Sequence, residues 1–367
     1  MNVPFVDLKP MHLDLKKELC EKFNKVTFDE SIFIHGKEDV LFEKEFAKYV
    51  GAKYCVGVAS GLDALILSLR SLDIKEGDEV IIPSNTYIAT ALAVSYVGAT
   101  PIFVEPTIDT YNIDTSKIEE KITSKTKCII PVHLYGRSAD LDEIKKIASK
   151  YDIHIIDDAA QAHGTKYKGK KIGSLTEITC WSFYPGKNLG ALGDAGCITT
   201  NNEKLAKKIR ALGDYGSDYK YHHIYKGTNS RLDELQASFL RVKLKKLDKW
   251  NQERRKIAMR YLREINNPLI DLPLAPSKDY DHIYHVFSIR CKKRDILEDY
   301  LKKHGISTVK HYPCPIHMQK AYKDLNIKKG TLPIAEKISS TELSIPMYYG
   351  MTKKQVDYVI KTINSFK

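Results

Sequence analysis

The 367-residue sequence lacks the cysteine patterns that mark a disulfide framework or a structural zinc site. Its seven cysteines are an odd number, none belongs to a C-x-x-C pair, and most have apolar neighbours, as buried free thiols do. We therefore expect free thiols in a reducing compartment. The sequence also has no H-E-x-x-H motif, internal repeat or low-complexity tract. We predict no metal site and no repeat architecture.

An uninterrupted apolar run that could span a membrane is also missing. Residues 81–104 carry no charge and are long enough to span a bilayer, but Pro83, Gly98 and Pro101 interrupt them. A strand, turn, short helix, turn and second strand fit this stretch better. Residues 1–7 lack the basic start and apolar core of a signal peptide. We expect a cytoplasmic protein without membrane association.

The charge balance is basic, with 58 Lys and Arg against 46 Asp and Glu, which gives a net charge of +12. Such an excess raises the local concentration of any anion and is compatible with nucleic acid, anionic lipid or small phosphorylated ligands. Much of it lies in a long helical segment predicted from about Leu232. Its basic side chains are expected to be solvated; they are Arg241, Lys243, Lys245, Lys246 and Lys249.

Short runs rich in valine and isoleucine alternate with segments of helical periodicity. This alternation predicts a mostly parallel sheet buried on both faces, with ligands bound at the carboxyl ends of its strands. The predicted strands are 54–58, 79–82, 101–104, 128–132, 154–156, 179–183 and 196–200.

The pattern changes towards the C-terminus. A proline-rich loop over residues 268–281 is followed by a predicted strand at 284–290 and a predicted helix at 294–304. We therefore predict two domains, a large one over residues 1–245 and a small α+β domain over residues 246–367.

Polar groups follow two of the predicted strands directly. In residues 59–65, Gly61 permits close backbone approach, and the free N–H groups of the helix start form a natural phosphate site. Ser60 would alternatively act only as a helix N-cap. In residues 155–164, two adjacent carboxylates, Asp157 and Asp158, follow an apolar strand. A structural alternative is that they cap the next turn.

A third segment, residues 179–190, places Lys187 beside proline and glycine beyond a buried strand. A lone lysine in a loop is usually a surface charge, and a free lysine is protonated at pH 7. Nucleophilic use requires burial or covalent capture, such as a Schiff base with a cofactor aldehyde.

These segments, in this order, resemble the DegT-like family of nucleotide-sugar aminotransferases, which are fold-type I enzymes dependent on pyridoxal 5′-phosphate (PLP). The resemblance covers nearly the whole chain and implies a mostly parallel central sheet with helices on both faces and a smaller C-terminal α+β domain. The matching motifs lie at residues 4–8, 61–65, 157–164, 182–188, 227–232 and 311–313.

The resemblance implies roles for four side chains around the cofactor ring. Lys187 matches the lysine that forms the Schiff base with PLP and later shuttles a proton. Asp158 matches the carboxylate that faces the pyridine nitrogen, where an anion keeps that nitrogen protonated. Gln161 matches the residue beside the ring hydroxyl, and Tyr87 lies where the family stacks an aromatic side chain on the ring.

The resemblance also implies the phosphate contacts. Ser182 and the backbone at Gly61 and Leu62 match residues that bind the cofactor phosphate. Relatives often carry threonine at the position of Leu62, and a backbone N–H contact survives that change. Asn229 matches a phosphate contact that the family donates from the partner subunit, which implies a homodimer with shared active sites.

The sequence of residues 183–191 resembles that of the family branch that aminates C3 of thymidine-diphosphate-linked 3-keto-6-deoxyhexoses. The branch acting at C4 more commonly has histidine in place of Tyr184. Lys220, His311, Tyr312 and Tyr184 itself are candidates for contact with the sugar or its diphosphate. For each of them, a packed aromatic side chain or a solvated lysine is the structural alternative.

The implied reaction moves an amino group from L-glutamate to C3 of a dTDP-linked keto sugar. The cofactor, donor and acceptor are all anions, so the net charge of +12 requires neither nucleic acid nor a membrane. A C4 aminotransferase of a UDP-linked sugar and a PLP-binding regulatory protein are the alternatives. A sugar dehydratase is disfavoured, because the similar dehydratases carry histidine in place of Lys187.

Overall fold

The computed structural model describes residues 1–277 and 281–367. Positions 278–280, which belong to the predicted loop over residues 268–281, lie outside the described residues. The helices are α1 Lys9–Leu13, α2 Lys16–Asn24, α3 Lys37–Val50, α4 Gly61–Ser71, α5 Ile88–Tyr96, α6 Leu141–Tyr151, α7 Glu203–Gly213, α8 Glu234–Leu244, α9 Leu247–Glu264, α10 Arg294–Lys303, α11 Pro333–Thr341 and α12 Lys353–Asn364. None of them has the length and apolar character needed to cross a bilayer within the described part of the chain.

The strands confirm the predicted alternation. Those of the main sheet are β1 Tyr54–Val58, β2 Glu79–Pro83, β3 Thr100–Val104, β4 Thr126–Ile129, β5 His154–Asp158, β8 Ile178–Ser182 and β9 Gly196–Thr200. The shorter ones are β6 Lys166–Tyr167, β7 Lys170–Lys171, β10 Ser217–Tyr219, β11 His222–His223, β12 Phe287–Arg290 and β13 Glu342–Ile345. Between β2 and β3 runs the short helix α5, as the interrupted apolar stretch predicted.

The seven strands of the main sheet lie in the order β1-β9-β8-β5-β4-β2-β3. All neighbours pair in parallel except β9, which runs antiparallel to both β1 and β8. The sheet is therefore mostly parallel, as predicted. Parallel neighbours bring their carboxyl ends to one edge, so the segments that follow β5 and β8 lie side by side there.

Helices cover both faces of this sheet because successive side chains of a strand point to opposite sides. In β2, Val80 and Ile82 belong to the apolar cluster that also contains residues of α4, α5 and α7, whereas Ile81 belongs to the cluster that contains residues of α6. In β8, Cys180 faces α4 and Trp181 faces α3 and α8. Burial on both sides explains why these strands read as continuous apolar runs.

The C-terminal part forms a second apolar cluster around the antiparallel pair β12 and β13. The predicted helix at 294–304 is confirmed by α10, and the predicted strand at 284–290 is shorter, beginning at Phe287. Val3 pairs with Ile306 and belongs to this cluster, so the first residues lie with the C-terminal part in space. The boundary at residue 245 stays a prediction.

The prediction of a single helical segment after Leu232 is wrong, because the chain turns at residues 245–246 and forms two helices, α8 and α9. The expected solvation is also wrong for two of its basic side chains. Arg241 forms ion pairs with Glu38 and Glu45 of α3. Lys243 is buried and donates to the Gly190 carbonyl at 2.7 Å. Burial lowers its pKa to about 8. The partners come from distant segments, which helical periodicity does not reveal.

The remaining three basic residues of that segment, Lys245, Lys246 and Lys249, are exposed as expected. The cysteine prediction is confirmed as well, since all seven thiols are free. Five of them are buried, namely Cys55, Cys128, Cys180, Cys197 and Cys291.

Candidate active site

A cavity of about 690 Å³ opens at the carboxyl ends of the main strands. Segments after β1, β5 and β8 form one side, and Val286, His311, Tyr312, Ile345 and Met347 of the C-terminal part line the other. All predicted site residues line the cavity except Lys220 and Asn229. Those that do are Gly61, Leu62, Tyr87, Asp158, Gln161, Ser182, Tyr184, Lys187, His311 and Tyr312.

The start of α4 forms the end of the cavity predicted for the phosphate. Ser60 is indeed the N-cap, since its Oγ accepts from the Asp63 N–H at 3.1 Å, a contact worth about 1 kcal/mol. The first N–H groups of a helix have no acceptor within it, so those of Gly61 and Leu62 are available to an anion. The capping and phosphate-binding interpretations are therefore compatible.

The backbone of Gly61 approaches β8 closely. A Cβ at this position would lie 2.5 Å from the Ser182 Cβ, a distance that real side chains essentially never show. Glycine at this position therefore allows the N-terminus of α4 and the Ser182 hydroxyl to contact the same anion. The cradle fits a phosphate group.

We expect Gly61→Ala to weaken cofactor binding, because the new methyl group pushes α4 away from Ser182. Overpacking of this kind costs about 1–3 kcal/mol, which corresponds to a loss of roughly 5- to 150-fold in affinity for PLP. Equilibrium titration of apoprotein with PLP measures it. Lys204→Ala, which changes an exposed residue in the first turn of α7, is the control. An unchanged dissociation constant in Gly61→Ala would refute the cradle.

Asp158 is buried at the end of β5 and held from two directions. Its Oδ2 accepts from the Thr90 hydroxyl at 2.9 Å, and its Oδ1 accepts from the Ala160 N–H at 3.2 Å. Burial raises its pKa, against the opposing effects of these two donors and of the Lys187 charge. A cationic ring nitrogen beside it would lower that pKa again. The two donors thus fix the orientation of the carboxylate at the cavity.

Gln161 connects the strand-end side of the cavity to the opposite wall. Its Oε1 accepts from the Tyr135 N–H at 2.6 Å, and its Nε2 donates to the Tyr312 hydroxyl at 3.3 Å. The Tyr312 ring lies 5.3 Å from that of Tyr87, centroid to centroid, and Tyr87 is 54% exposed. The Tyr87 ring therefore remains accessible to a planar ligand.

Lys187 lies in a tight turn beyond β8. The backbone N–H of Lys187 donates to the Tyr184 carbonyl at 2.8 Å, and the Ala191 N–H donates to the Phe183 carbonyl at 2.7 Å. These two bonds close the loop that carries the lysine. Burial lowers the pKa of Lys187 to about 8, with the Asp158 charge opposing the shift. The amine is therefore a far better nucleophile near neutral pH than a surface lysine, whose pKa is near 10.4.

This pKa predicts how cofactor uptake depends on pH. The amine must be neutral to attack an aldehyde, so below its pKa the rate should fall about tenfold per pH unit. We expect the rate of PLP incorporation into apoprotein to rise with pH and level off near pH 8. Stopped-flow absorbance follows the reaction. A rate that keeps rising to pH 10 would contradict a lowered pKa.

Several residues around the site were not found by sequence reasoning. Thr90 holds Asp158, and Arg254, which is buried, donates through Nη1 to the carbonyls of Tyr284, His285 and Met347. Arg254 and His285 both line the cavity. No local signal marked them, apart from the polar character of Thr90 in the largely apolar helix α5.

Lys220 and Asn229 lie on the surface, away from this cavity. Lys220 belongs to the hairpin of β10 and β11, and its Nζ lies 5.2 Å from the Tyr221 ring centroid. Asn229 forms an isolated bridge with Asp214. Within one chain neither residue reaches the site, so their predicted roles require a second chain and stay predictions.

A lysine of lowered pKa, an anchored buried carboxylate and a helix start meet at the strand ends of a mostly parallel sheet. In residues 1–277 and 281–367, no three His, Cys, Asp or Glu side chains are grouped so as to hold a metal ion. The fold and the cavity are those of a PLP-dependent aminotransferase of fold type I.

The chain belongs to the DegT/DnrJ/EryC1/StrS aminotransferase family, whose model matches residues 14–364. It is 50% identical over 364 residues to the dTDP-3-amino-3,6-dideoxy-alpha-D-galactopyranose transaminase of Aneurinibacillus thermoaerophilus, covering 99% of each chain. The crystal structure of S. venezuelae DesV in complex with a ketimine intermediate matches with a TM-score of 0.97 at 44% identity, over 99% of this chain and 98% of that one.

A second solved relative is NtdA from Bacillus subtilis with bound cofactor PMP. It has a TM-score of 0.92 and 34% identity, over 99% of this chain and 84% of that one. The resemblance, the fold class and the cofactor expected from the sequence are thereby confirmed.

Proposed function

We propose that this enzyme transfers the amino group of L-glutamate to C3 of a dTDP-3-keto-6-deoxyhexose. The products are 2-oxoglutarate and a dTDP-3-amino-3,6-dideoxyhexose. The observation that carries the chemistry is the convergence of Lys187, Asp158 and Gln161 in one cavity. The choice of sugar is supported by the 50% identity to a transaminase named for such a product.

The side chains divide the chemistry among them. When bound, PLP supplies an electron-accepting ring that stabilises the carbanion left when a proton leaves the substrate. Asp158, fixed by Thr90 and the Ala160 N–H, holds a proton on the ring nitrogen. Gln161 is placed to orient the ring edge, and its tie to Tyr312 links the ring to the opposite wall.

Lys187 both attaches the cofactor and moves the proton. With a pKa of about 8, its amine takes up or releases a proton near neutral pH, as a general acid–base group must. In the first half-reaction its amine would take the α-proton of glutamate. In the second it would deliver a proton to C3 of the sugar.

The substrate assignment is tested by assaying purified enzyme with glutamate and a panel of keto sugars. We expect turnover with dTDP-linked 3-keto-6-deoxyhexoses, and mass spectrometry and NMR of the product should place nitrogen at C3. Turnover confined to UDP-linked 4-keto sugars would favour C4 amination. Protein that binds PLP but aminates no sugar would favour a regulatory role.

We also propose a homodimer whose two sites each take Asn229 from the partner subunit. Its exposed position outside the cavity of its own chain supports this arrangement. The tyrosine-rich hairpin near it is exposed too, with Tyr219 65% and Tyr221 84% accessible. Such a row of exposed aromatic side chains is typical of an interface.

Mixing two inactive variants tests the shared site. After joint unfolding and refolding, Lys187→Ala and Asn229→Ala chains should recover activity, because a mixed dimer has one complete site. Random pairing gives about one quarter of the wild-type sites. Lys187→Ala mixed with Asp158→Asn is the control, since both residues serve the same site and no recovery is expected. Equal behaviour of the two mixtures would refute the sharing of Asn229.

A further inference from the structure

His285 lies in the wall of the cavity that also holds Lys187. Its backbone is fixed on both sides. The His285 N–H donates to the Tyr135 carbonyl at 2.8 Å, and its carbonyl accepts from Arg254 Nη1 at 3.2 Å. The ring is therefore carried by a rigid segment between the cofactor side and the C-terminal part.

A chain of buried hydrogen bonds sets which nitrogen of the ring carries the proton. The chain starts at the His163 carbonyl, which can only accept, and it does so from Asn251 Nδ2 at 2.7 Å. Asn251 Oδ1 then accepts from Asn188 Nδ2 at 2.8 Å. This leaves Asn188 Oδ1 facing the Nδ1 of His285 at 3.1 Å. Since that oxygen only accepts, Nδ1 of His285 must carry the proton.

The opposite nitrogen of the ring is consequently an acceptor. Burial lowers the pKa of His285 well below 6.5, and the charges of Lys187 and Arg254 lower it further. The ring is therefore neutral at pH 7, with its proton on Nδ1. Because Nδ1 is engaged by Asn188, Nε2 is the ring nitrogen left with a lone pair to offer to the cavity that His285 lines. A neutral ring with a fixed tautomer can accept a hydrogen bond at Nε2. It therefore suits a donor group that carries hydrogen at only one stage of a reaction.

We propose that His285 is a positioning residue for Lys187, whose free amine donates a hydrogen bond to His285 Nε2. The proposal rests on the aminotransferase function, in which the lysine is alternately bound to the cofactor and released. Asn188, which orients His285, is the residue next to Lys187, so the ring is tied to the loop that carries the lysine. Arg254 Nη1 donates to main-chain carbonyls, whereas the Lys187 amine lines the same cavity and its charge acts on the His285 ring.

The tautomer is tested directly in apoprotein. Long-range ¹H–¹⁵N NMR of histidine-labelled protein at pH 7 should show His285 with a protonated Nδ1 and an unprotonated Nε2. Assignment uses the loss of its signals in His285→Gln. In Asn188→Ala the acceptor is gone, and we expect the two tautomers to mix. A protonated Nε2 or a cationic ring in the wild-type protein would overturn the proposal.

The effect on Lys187 is tested by competitive acetylation of apoprotein across pH, read by mass spectrometry. His285→Phe removes the acceptor that stabilises the ammonium, so the pKa of Lys187 should fall by about one unit, a tenfold change in the protonation equilibrium. His285→Gln keeps an acceptor, so the pKa of Lys187 in this variant should stay close to the wild-type value. His154→Phe, whose partner Glu177 is at the surface, is the matched control.

A pKa of Lys187 that is the same in wild type, His285→Phe and His285→Gln would overturn the proposal. So would a shift of equal size in His285→Phe and His285→Gln, since that would reflect packing rather than the acceptor. If His285→Phe does not fold, the tautomer of the wild-type protein and the titration of Lys187 in His285→Gln still test the proposal. Both experiments are done without glutamate or sugar, so they succeed or fail independently of the proposed substrates.

Discussion

Replacing Lys187 with alanine should leave a folded protein that cannot complete a turnover. The side chain extends into the cavity rather than into the core, so its loss removes few packing contacts. It would remove both the proposed point of covalent attachment of PLP and the proposed proton-transfer group. We expect 2-oxoglutarate production to fall by about 10⁴-fold or more.

Two measurements check this result. Steady-state assays give the rate, and borohydride treatment should fix the cofactor covalently to the wild-type chain but not to Lys187→Ala. Lys125→Ala removes an exposed lysine far from the cavity and serves as the control. Full activity in Lys187→Ala would remove the basis for the whole functional assignment.

Asp158→Asn should have the second largest effect. The amide keeps the size of the side chain and can still accept from Thr90 or the Ala160 N–H. It carries no negative charge, however, and cannot hold a proton on the ring nitrogen. Loss of one preorganised electrostatic contact of this kind costs about 10²- to 10³-fold in turnover. We expect the loss in kcat, with little change in protein stability.

The same variant should also shift the chemistry of Lys187. The Asp158 charge opposes the fall in the lysine pKa, so its removal should lower that pKa below about 8. Cofactor uptake by apo Asp158→Asn should then level off at a lower pH than in the wild type. Asp142→Asn, which changes an exposed carboxylate paired with Lys168, should match the wild type in both measurements. A wild-type kcat in Asp158→Asn would refute the role of this carboxylate.

The sheet and the cofactor side of the site could be predicted because their determinants are local. Each strand of the main sheet lies in or overlaps a short run rich in apolar residues, and the polar groups of the site lie at or just beyond the ends of β5 and β8 in the sequence. Parallel pairing then brings Asp158 and Lys187 into one cavity without further information. The capping role of Ser60 could likewise be read from the residue type that precedes an apolar helix.

The contacts that orient these groups could not be predicted, because they join distant segments. Thr90 lies 68 residues before Asp158, and His285 lies 97 residues after Asn188. The error over Arg241 and Lys243 has the same origin. Their residue types predict a solvated helix face, and only the packing of α3 and of the Lys187 loop against α8 shows that these cations are enclosed.

The two sides of the cavity are built by different parts of the chain, and this has a consequence for how the enzyme could diversify. The strand ends carry the residues expected to hold the cofactor, whereas Ile345, Met347 and residues 311–312 come from the C-terminal part. Substitutions at Ile345 and Met347 would reshape this wall at positions outside the Lys187–Asp158 pair and outside the side-chain hydrogen bonds of His285 and Tyr312. Under the proposed function we expect these two positions to influence which keto sugar is accepted, which makes them the natural target for a directed-evolution library.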